Sequence, residues 1–297
     1  MLQGVSVSLA DLASLRGAAA QSWRGLAQQL GAHESRLLGQ GMHMREIRPY
    51  QPGDDIRHIH WRASARAQGT YSKVYDVEHE LPWMLLIALT PSMFFGSRTA
   101  FKSVRALDAA ARIAWARHAQ HDSVGSLLLT AQQHRWHAPT RMASGLLRQL
   151  DEWASSSTLT SEHPLSVGHF RQCMGELPRY IKRQQATVVI ADFLPHYPWR
   201  EWIQAMQGIP TTFLQITDAL ETSLPSQGVF PAMSGGRVHW LTGSAQAQAR
   251  YGASRQAWFQ QLRDQLDPQR HRWVTLDTQQ DPDHWQWLMQ DQSHDRR

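Results

Sequence analysis

P-W-M-L-L-I-A-L-T-P-S-M-F-F-G, running from Pro82 to Gly96, is the stretch whose reading decides the fold. Met84 to Leu89 is an unbroken apolar run, short and without alternation, closed at once by the turn residues Thr90, Pro91 and Ser92. Such a run reads as a strand buried on both faces, the kind that parallel sheets contain. A helical pattern follows from near Thr99 to about Gln120. Strand, small polar turn and helix form the first half of a β-α-β unit, and open α/β sheets take ligands just beyond the C-terminal ends of such strands. The Thr90–Ser92 turn is therefore where a functional site is expected.

Working outward, the same alternation continues downstream. Val124–Thr130 reads as a second buried strand, with Gln133–His137 as its hairpin partner. Met142–Trp153 and Phe170–Arg183 read as helices, and Thr187–Asp192 as a third apolar strand ending in a carboxylate. A helix over Trp199–Gln207 and a strand over Thr211–Thr217 come next. Leu220–Gly236 is loop-rich, and Arg237–Leu241 has the character of a short strand. A long helix over Gln246–Leu266, a strand over Arg272–Leu276 and a helix over Asp283–Met289 close the pattern. Apolar strands alternating with helices define a doubly wound, Rossmann-like α/β sheet. Upstream, Val7 to about Leu30 has helical spacing, weakened by Gly17 and Gly25, which allows one helix or two shorter ones. Pro49, Pro52 and Gly53 forbid a long helix over the next stretch, where residues 56–66 suggest a short helical or irregular piece and Tyr71–Val77 a strand. The expected organisation is a helical segment over 1–40, a Gly-Asp-Arg-Trp segment over 41–81 packing on the sheet, the α/β domain over 82–290, and a flexible tail over 291–297.

Composition narrows the function classes. The chain has 297 residues, 42% of them hydrophobic, enough to bury a substantial core. No apolar run reaches the roughly 18–20 residues of a membrane span, and the N-terminus lacks the basic and apolar regions of a signal peptide. A single cysteine, Cys173, excludes an internal disulfide and agrees with a cytoplasmic setting. The net charge of +5 is scattered, with no basic block, so nucleic-acid binding is not indicated despite a pI near 9.7. Sixteen His and thirteen Trp are unusual; the Trp suggest packing anchors or interface residues.

G-D-D-I-R-H-I-H-W at 53–61, followed downstream by L-T-P-S-M-F-F-G-S at 89–97, resembles the bacterial family called domain of unknown function 58, whose members carry a von Willebrand factor A-like domain. Tyr50, Gly53, Asp54, Arg57, Ile59, Trp61, Ala65, Arg66, Glu78 and Glu80 fit its pattern. Ser92-Met93 with Gly96, Asp122–Gly125, Asp192–Leu194 and Asp218–Glu221 support it. The resemblance covers about Gly41 to Gln290. It implies a von Willebrand factor A type of α/β fold with a metal-ion-dependent adhesion site. It further implies partnership with MoxR-type AAA+ ATPases that assemble or activate other proteins.

Such an adhesion site needs hard oxygen donors for Mg²⁺. By the resemblance, the first Asp of the Asp-x-Ser-x-Ser turn falls on Ala88, the first Ser on Thr90, the second on Ser92, and the distal Asp on Asp192. The loop Thr falls on Gly168, with Thr158, Thr160 and Ser166 nearby. The principal carboxylate is thus missing, and a degenerate site with no cofactor is expected. Its hydroxyls are then free to cap the following helix, and any remaining Mg²⁺ binding would use Thr90, Ser92 and Asp192. The Asp54–Arg57–Trp61 block reads as an internal ion pair, with Asp54 or Asp55 holding Arg57 over Ile59 and Trp61, or else as a docking surface; its mixture of residue types favours the former. His58-x-His60, with His43 and His79, has ligand-like spacing but no third fixed ligand for zinc. No nucleophile elbow, Walker loop or dinucleotide fingerprint is present. The reading is a non-enzymatic interaction protein that partners a MoxR-type ATPase or its client. The alternatives are a metal-dependent hydrolase using Asp192 with histidines, or Mg²⁺-dependent binding.

Overall fold

The structure, a computed structural model, describes residues 2, 4–22, 44–51, 59–66, 69–75, 82–158, 165–183, 185–234 and 237–280. The chain forms two compact units, one of residues 1–32 with 81–297 and one of residues 33–80.

The first helix, α1 (Leu9–Ser22), belongs to the larger unit. The smaller unit holds β1 (Met44–Pro49), α2 (Trp61–Ser64) and β2 (Tyr71–Tyr75). β1 and β2 pair antiparallel, with Ile47 opposite Lys73 and Pro49 opposite Tyr71. β1 was not legible in sequence, because M-R-E-I-R-P neither alternates nor runs apolar. α2 is a single turn capped by His60, whose Nδ1 accepts from the Ala63 N–H at 3.0 Å.

The remaining elements are β3 (Trp83–Ala88), α3 (Lys102–Ala119), β4 (Val124–Leu129), β5 (His134–Thr140), α4 (Ala143–Ser155), α5 (Val167–Tyr180) and β6 (Thr187–Ala191). They continue as α6 (Trp199–Ala205), β7 (Thr211–Thr217), α7 (Ala219–Thr222), β8 (Val229–Ser234), β9 (Arg237–Thr242), α8 (Ala245–Arg263) and β10 (His271–Asp277). Six strands form one sheet in the order β10-β7-β6-β3-β4-β5. All neighbours are parallel except β4 and β5, so the expected hairpin supplies an antiparallel edge. The strand that opens the pattern, β3, lies inside the sheet, with all six of its residues buried.

Alternate residues of the central strands feed two apolar cores, one on each side of the sheet. Leu85, Ile87, Val188, Ile190 and Ile216 pack toward α1, α3 and α4. Leu86, Val189, Ala191 and Phe213 pack toward α5, α6 and α8. Helices on both faces are what two-sided burial of parallel strands requires. α3 is buried along nearly its whole length, covered on its outer side by α1, with the Trp115 Nε1–H donating to the Leu12 carbonyl at 3.0 Å. Its buried charges are met internally: Arg112 Nε donates to Asp108 Oδ1 at 2.6 Å and Arg105 Nε to the Thr278 carbonyl at 2.7 Å.

Several expectations are corrected. The loop-rich reading of Leu220–Gly236 conceals α7 and β8; the latter pairs antiparallel with β9 in a separate hairpin. Each hairpin strand is organised by the other, which single-strand patterning does not reveal. Of the two roles expected for tryptophan, packing anchor prevails: Trp83, Trp115, Trp153, Trp199, Trp202 and Trp273 are buried, whereas Trp61 and Trp240 are exposed. Phe170, Phe193, Phe213, Trp199, Trp202 and Trp273 form one aromatic cluster, in edge-on, tilted and stacked contacts. The expected helix at Asp283–Met289 lies outside the described residues.

Candidate functional site

β3 pairs with β4 on one side and β6 on the other. Counted from β3, the sheet order is that of doubly wound folds, and the crevice where the chain reverses direction opens beyond the ends of β3 and β6. Thr90 and Ser92 leave β3 there, and Asp192 leaves β6. The structure brings the three together although Asp192 is a hundred residues from Ser92 in the chain.

Ser92 Oγ donates to Asp192 Oδ2 at 2.5 Å, Thr90 Oγ1 donates to Asp192 Oδ1 at 3.5 Å, and the two hydroxyls lie 3.1 Å apart. Neither hydroxyl caps a helix. Thr90 makes no side-chain bond to the short 3₁₀ turn at Pro91–Met93, and α3 begins after Phe101. Ala88 stands wholly buried in the apolar cluster with Leu86, Val189 and Ala191. Of the positions weighed for a loop threonine, Ser166 caps α5 by accepting from the His169 N–H at 3.0 Å, Gly168 lies in the first turn of that helix, Thr158 follows α4, and Thr160 is outside the described residues.

The group that sequence reasoning missed is Lys102. It is the first residue of α3 and its side chain is completely buried. Its Nζ lies 3.0 Å from Asp192 Oδ2 and 2.6 Å from Glu221 Oε1. The loop after β3 delivers it there. A side chain at Gly96 would run into the Ala100 carbonyl, so only glycine lets the loop double back. The Phe95 carbonyl then accepts from the Lys102 N–H at 2.8 Å. Burial pushes the Lys102 ammonium toward neutrality, but the Asp192 and Glu221 carboxylates outweigh it and hold its pKa above the ordinary lysine value. Burial raises Glu221 against the pull of Lys102, as expected where two carboxylates share one cation. A lysine at the start of a long helix carries no sequence mark of burial, and only the loop geometry reveals its role.

A third carboxylate braces the same rim. Asp218 follows β7, is fully buried, and accepts from the Ser97 N–H at 3.0 Å, the Leu220 N–H at 3.0 Å and Thr278 Oγ1 at 2.6 Å. Burial presses Asp218 up, but these bonds prevail and leave it below the ordinary carboxylate value. It thus ties the loops after β3, β7 and β10, and sets the single turn of α7 that carries Glu221. Next to Asp192, Phe193 adopts a left-handed backbone with φ 54°, and its carbonyl accepts from Trp258 Nε1 at 2.8 Å. Tyr197 is pushed up to about 12 by burial and the Asp192 charge.

Judged as ligands for Mg²⁺, which takes six oxygens in near-octahedral geometry, these residues do not fit. Ala88, where the resemblance puts the first carboxylate, is a buried methyl, and Asp192 already faces an ammonium at hydrogen-bond distance. Among the described residues, no group of three His, Cys, Asp or Glu is placed to hold a metal ion. Of the histidine set, His60 caps α2, while His43, His58 and His79 lie outside the described residues. Cys173 is buried and its thiol is pushed up to about 12 by that burial, with the Glu176 charge adding.

In the smaller unit, Tyr50 donates its N–H to the Thr70 carbonyl at 2.8 Å, Ile59 bridges to Ser72, and Arg66 is exposed. Trp61 is 69% exposed, which corrects the expectation that it packs beneath an Arg57 ion pair. Gly53, Asp54 and Arg57 lie outside the described residues, as do Glu78 and Glu80.

Fold and site together define a doubly wound α/β protein whose crossover crevice holds a buried polar cluster centred on a lysine. The chain belongs to the family described as protein of unknown function DUF58, whose model matches residues 46–257. Similar proteins are an uncharacterized protein of Mycobacterium bovis and uncharacterized proteins of two strains of Mycobacterium tuberculosis. Each is 26% identical over 201 residues, 67% of this chain and 62% of the relative. The match thus spans under two thirds of those relatives' length. Among solved structures, the SpRpn10 VWA domain matches with a TM-score of 0.38 and 10% identity, over 71% of this chain and 93% of that chain. No helix among the described residues is long and apolar enough to cross a membrane.

Proposed function

We propose that this chain is a non-catalytic protein-interaction module, that its contact face is the rim of loops beyond the C-terminal ends of β3, β6 and β7, and that it binds a MoxR-type AAA+ ATPase or that ATPase's client without a metal ion. The observation that carries the reading is the closure of the crevice cluster on itself. Asp192 is already engaged by Ser92, Thr90 and Lys102, so its charge is spent inside the protein rather than offered to a substrate or ion. On this reading the adhesion site is degenerate, and the rim presents the apolar Phe95 and Leu220 among exposed polar groups such as Ser97, Arg98 and His196.

The loops leaving that rim carry exposed side chains in support: Phe95 after β3 and Leu220 after β7, with Val229 at 63% and Trp240 at 71% exposure on the β8–β9 hairpin. Exposed aromatic side chains of this kind act as interface anchors. The test is binding of the purified chain to a MoxR-type ATPase, with nucleotide, in Mg²⁺-free and EDTA-containing buffer against a nucleotide-independent control. Binding should survive chelation wherever the ATPase itself does. Trp240→Ser should weaken it about tenfold, or about 1.4 kcal/mol, without lowering thermal stability. Failure to bind in any nucleotide state overturns the partner. Binding that neither Trp240→Ser nor Phe95→Ser weakens overturns the face.

A further inference from the structure

We infer that Lys102 is a built-in cation: its ammonium does the work at this crevice that a bound divalent ion does in adhesion sites, and it locks three loops of the rim into one arrangement. The geometry is that of a coordinated charge. Nζ reaches Asp192 from the loop after β6 and Glu221 from α7 after β7, and Asp192 in turn takes the hydroxyl of Ser92 from the loop after β3. Three separate loops therefore converge on one positive centre that has no solvent exposure. Two carboxylates facing each other in such a place repel unless a cation lies between them.

An ammonium differs from a metal ion in one decisive respect: it is covalently attached. It cannot be chelated or exchanged, and it does not respond to the metal content of the solution. Its three donors also set it apart from Mg²⁺, which keeps several waters, each an exchangeable coordination position. A rim closed by lysine offers no such position, so partner contacts must be made around the cluster. This inference rests on the reading of the rim as the contact face, but its test uses the isolated chain, so failure to find a partner leaves it standing.

The experiment compares thermal melting and calorimetric Mg²⁺ titration for the wild type, Lys102→Ala, Lys102→Ala with Glu221→Gln, and Lys102→Ala with Asp192→Asn. The wild type should melt at the same temperature in EDTA and in millimolar Mg²⁺ and bind no ion at the rim. Lys102→Ala should melt several degrees lower in EDTA and recover much of that loss in Mg²⁺, binding one ion per chain. The Glu221→Gln double variant carries less unbalanced charge; it should fold more readily and bind the ion more weakly. The Asp192→Asn double variant should not respond. Recovery of Lys102→Ala only from Mg²⁺-containing buffer supports the inference. Stoichiometric Mg²⁺ binding by the wild type that Asp192→Asn abolishes would overturn it. So would a Lys102→Ala single variant that folds yet ignores Mg²⁺, or that fails to fold in either buffer.

Discussion

Replacing Asp218 by alanine tests whether the rim is held by buried hydrogen bonds rather than by loop propensity. The side chain is fully buried and accepts from Ser97, Leu220 and Thr278. Bonds to an ionised acceptor contribute about 1.5–3 kcal/mol each. Ser97 and Leu220 are partly or largely exposed, so water replaces much of what their N–H groups lose, whereas Thr278 is wholly buried and its hydroxyl is stranded. The expected cost is about 3–4 kcal/mol, which for a unit of this size lowers the melting temperature by roughly 6–16 °C. Asp218→Asn keeps an acceptor for Leu220 at the cap of α7 and should cost roughly half as much. The acid side gives an independent check. A carboxyl held below its ordinary value stabilises the fold above the unfolded pKa of about 3.9, and that contribution disappears as pH falls through the lower folded value. Melts from pH 6 downward should therefore show a wild-type loss below about pH 4 that is smaller in Asp218→Asn. An alanine variant melting within about 1 °C of the wild type would refute the assignment of Asp218 as the brace of these loops.

Other outcomes follow from the same geometry. Lys102 has a folded pKa above the unfolded value of about 10.4, so its contribution is intact below that pH and fades as pH rises through the folded value; alkaline melts should stay flat to about pH 10, and a loss centred near neutrality would contradict the pairing. Cys173, at about 12 and buried, should resist thiol reagents at neutral pH in the folded protein and react promptly in denaturant. Rapid stoichiometric labelling of the native chain would count against its burial. Ala88→Asp places a carboxyl in an apolar cluster and should cost about 3 kcal/mol or more by denaturant titration, yet confer no Mg²⁺ affinity while Lys102 remains.

The sheet was legible because burial on both faces leaves its mark on each strand separately. Met84–Leu89, Val124–Thr130, Thr187–Asp192 and Thr211–Thr217 are apolar runs of strand length, and each lies within a residue or so of its observed counterpart. The crevice followed from topology, since a turn after the first inner strand of a doubly wound sheet is where ligands collect. What escaped were features created by contact between distant segments. β1 and β8 are defined by their pairing partners. Lys102 looks like any helix-start lysine until Asp192 and Glu221 are seen on either side of its ammonium. The tryptophans illustrate the same limit: abundance suggested packing anchors or interface residues without saying which, and only the structure shows those of α6 and β10 meeting Phe193 in the core.

Phe193 links that core to the crevice. A bulky side chain with a left-handed backbone stores strain of roughly 1–3 kcal/mol and persists only where its surroundings over-determine it. Here the ring is wedged among Trp199, Phe213 and Trp273, while its carbonyl is tethered to Trp258. The wedge works as a lever with its short arm at Asp192. Trimming Trp199 or Trp273 is expected to relax this backbone and with it the aim of the adjacent Asp192 carboxylate. The aim of the polar crevice is thereby inherited from oily residues buried outside it.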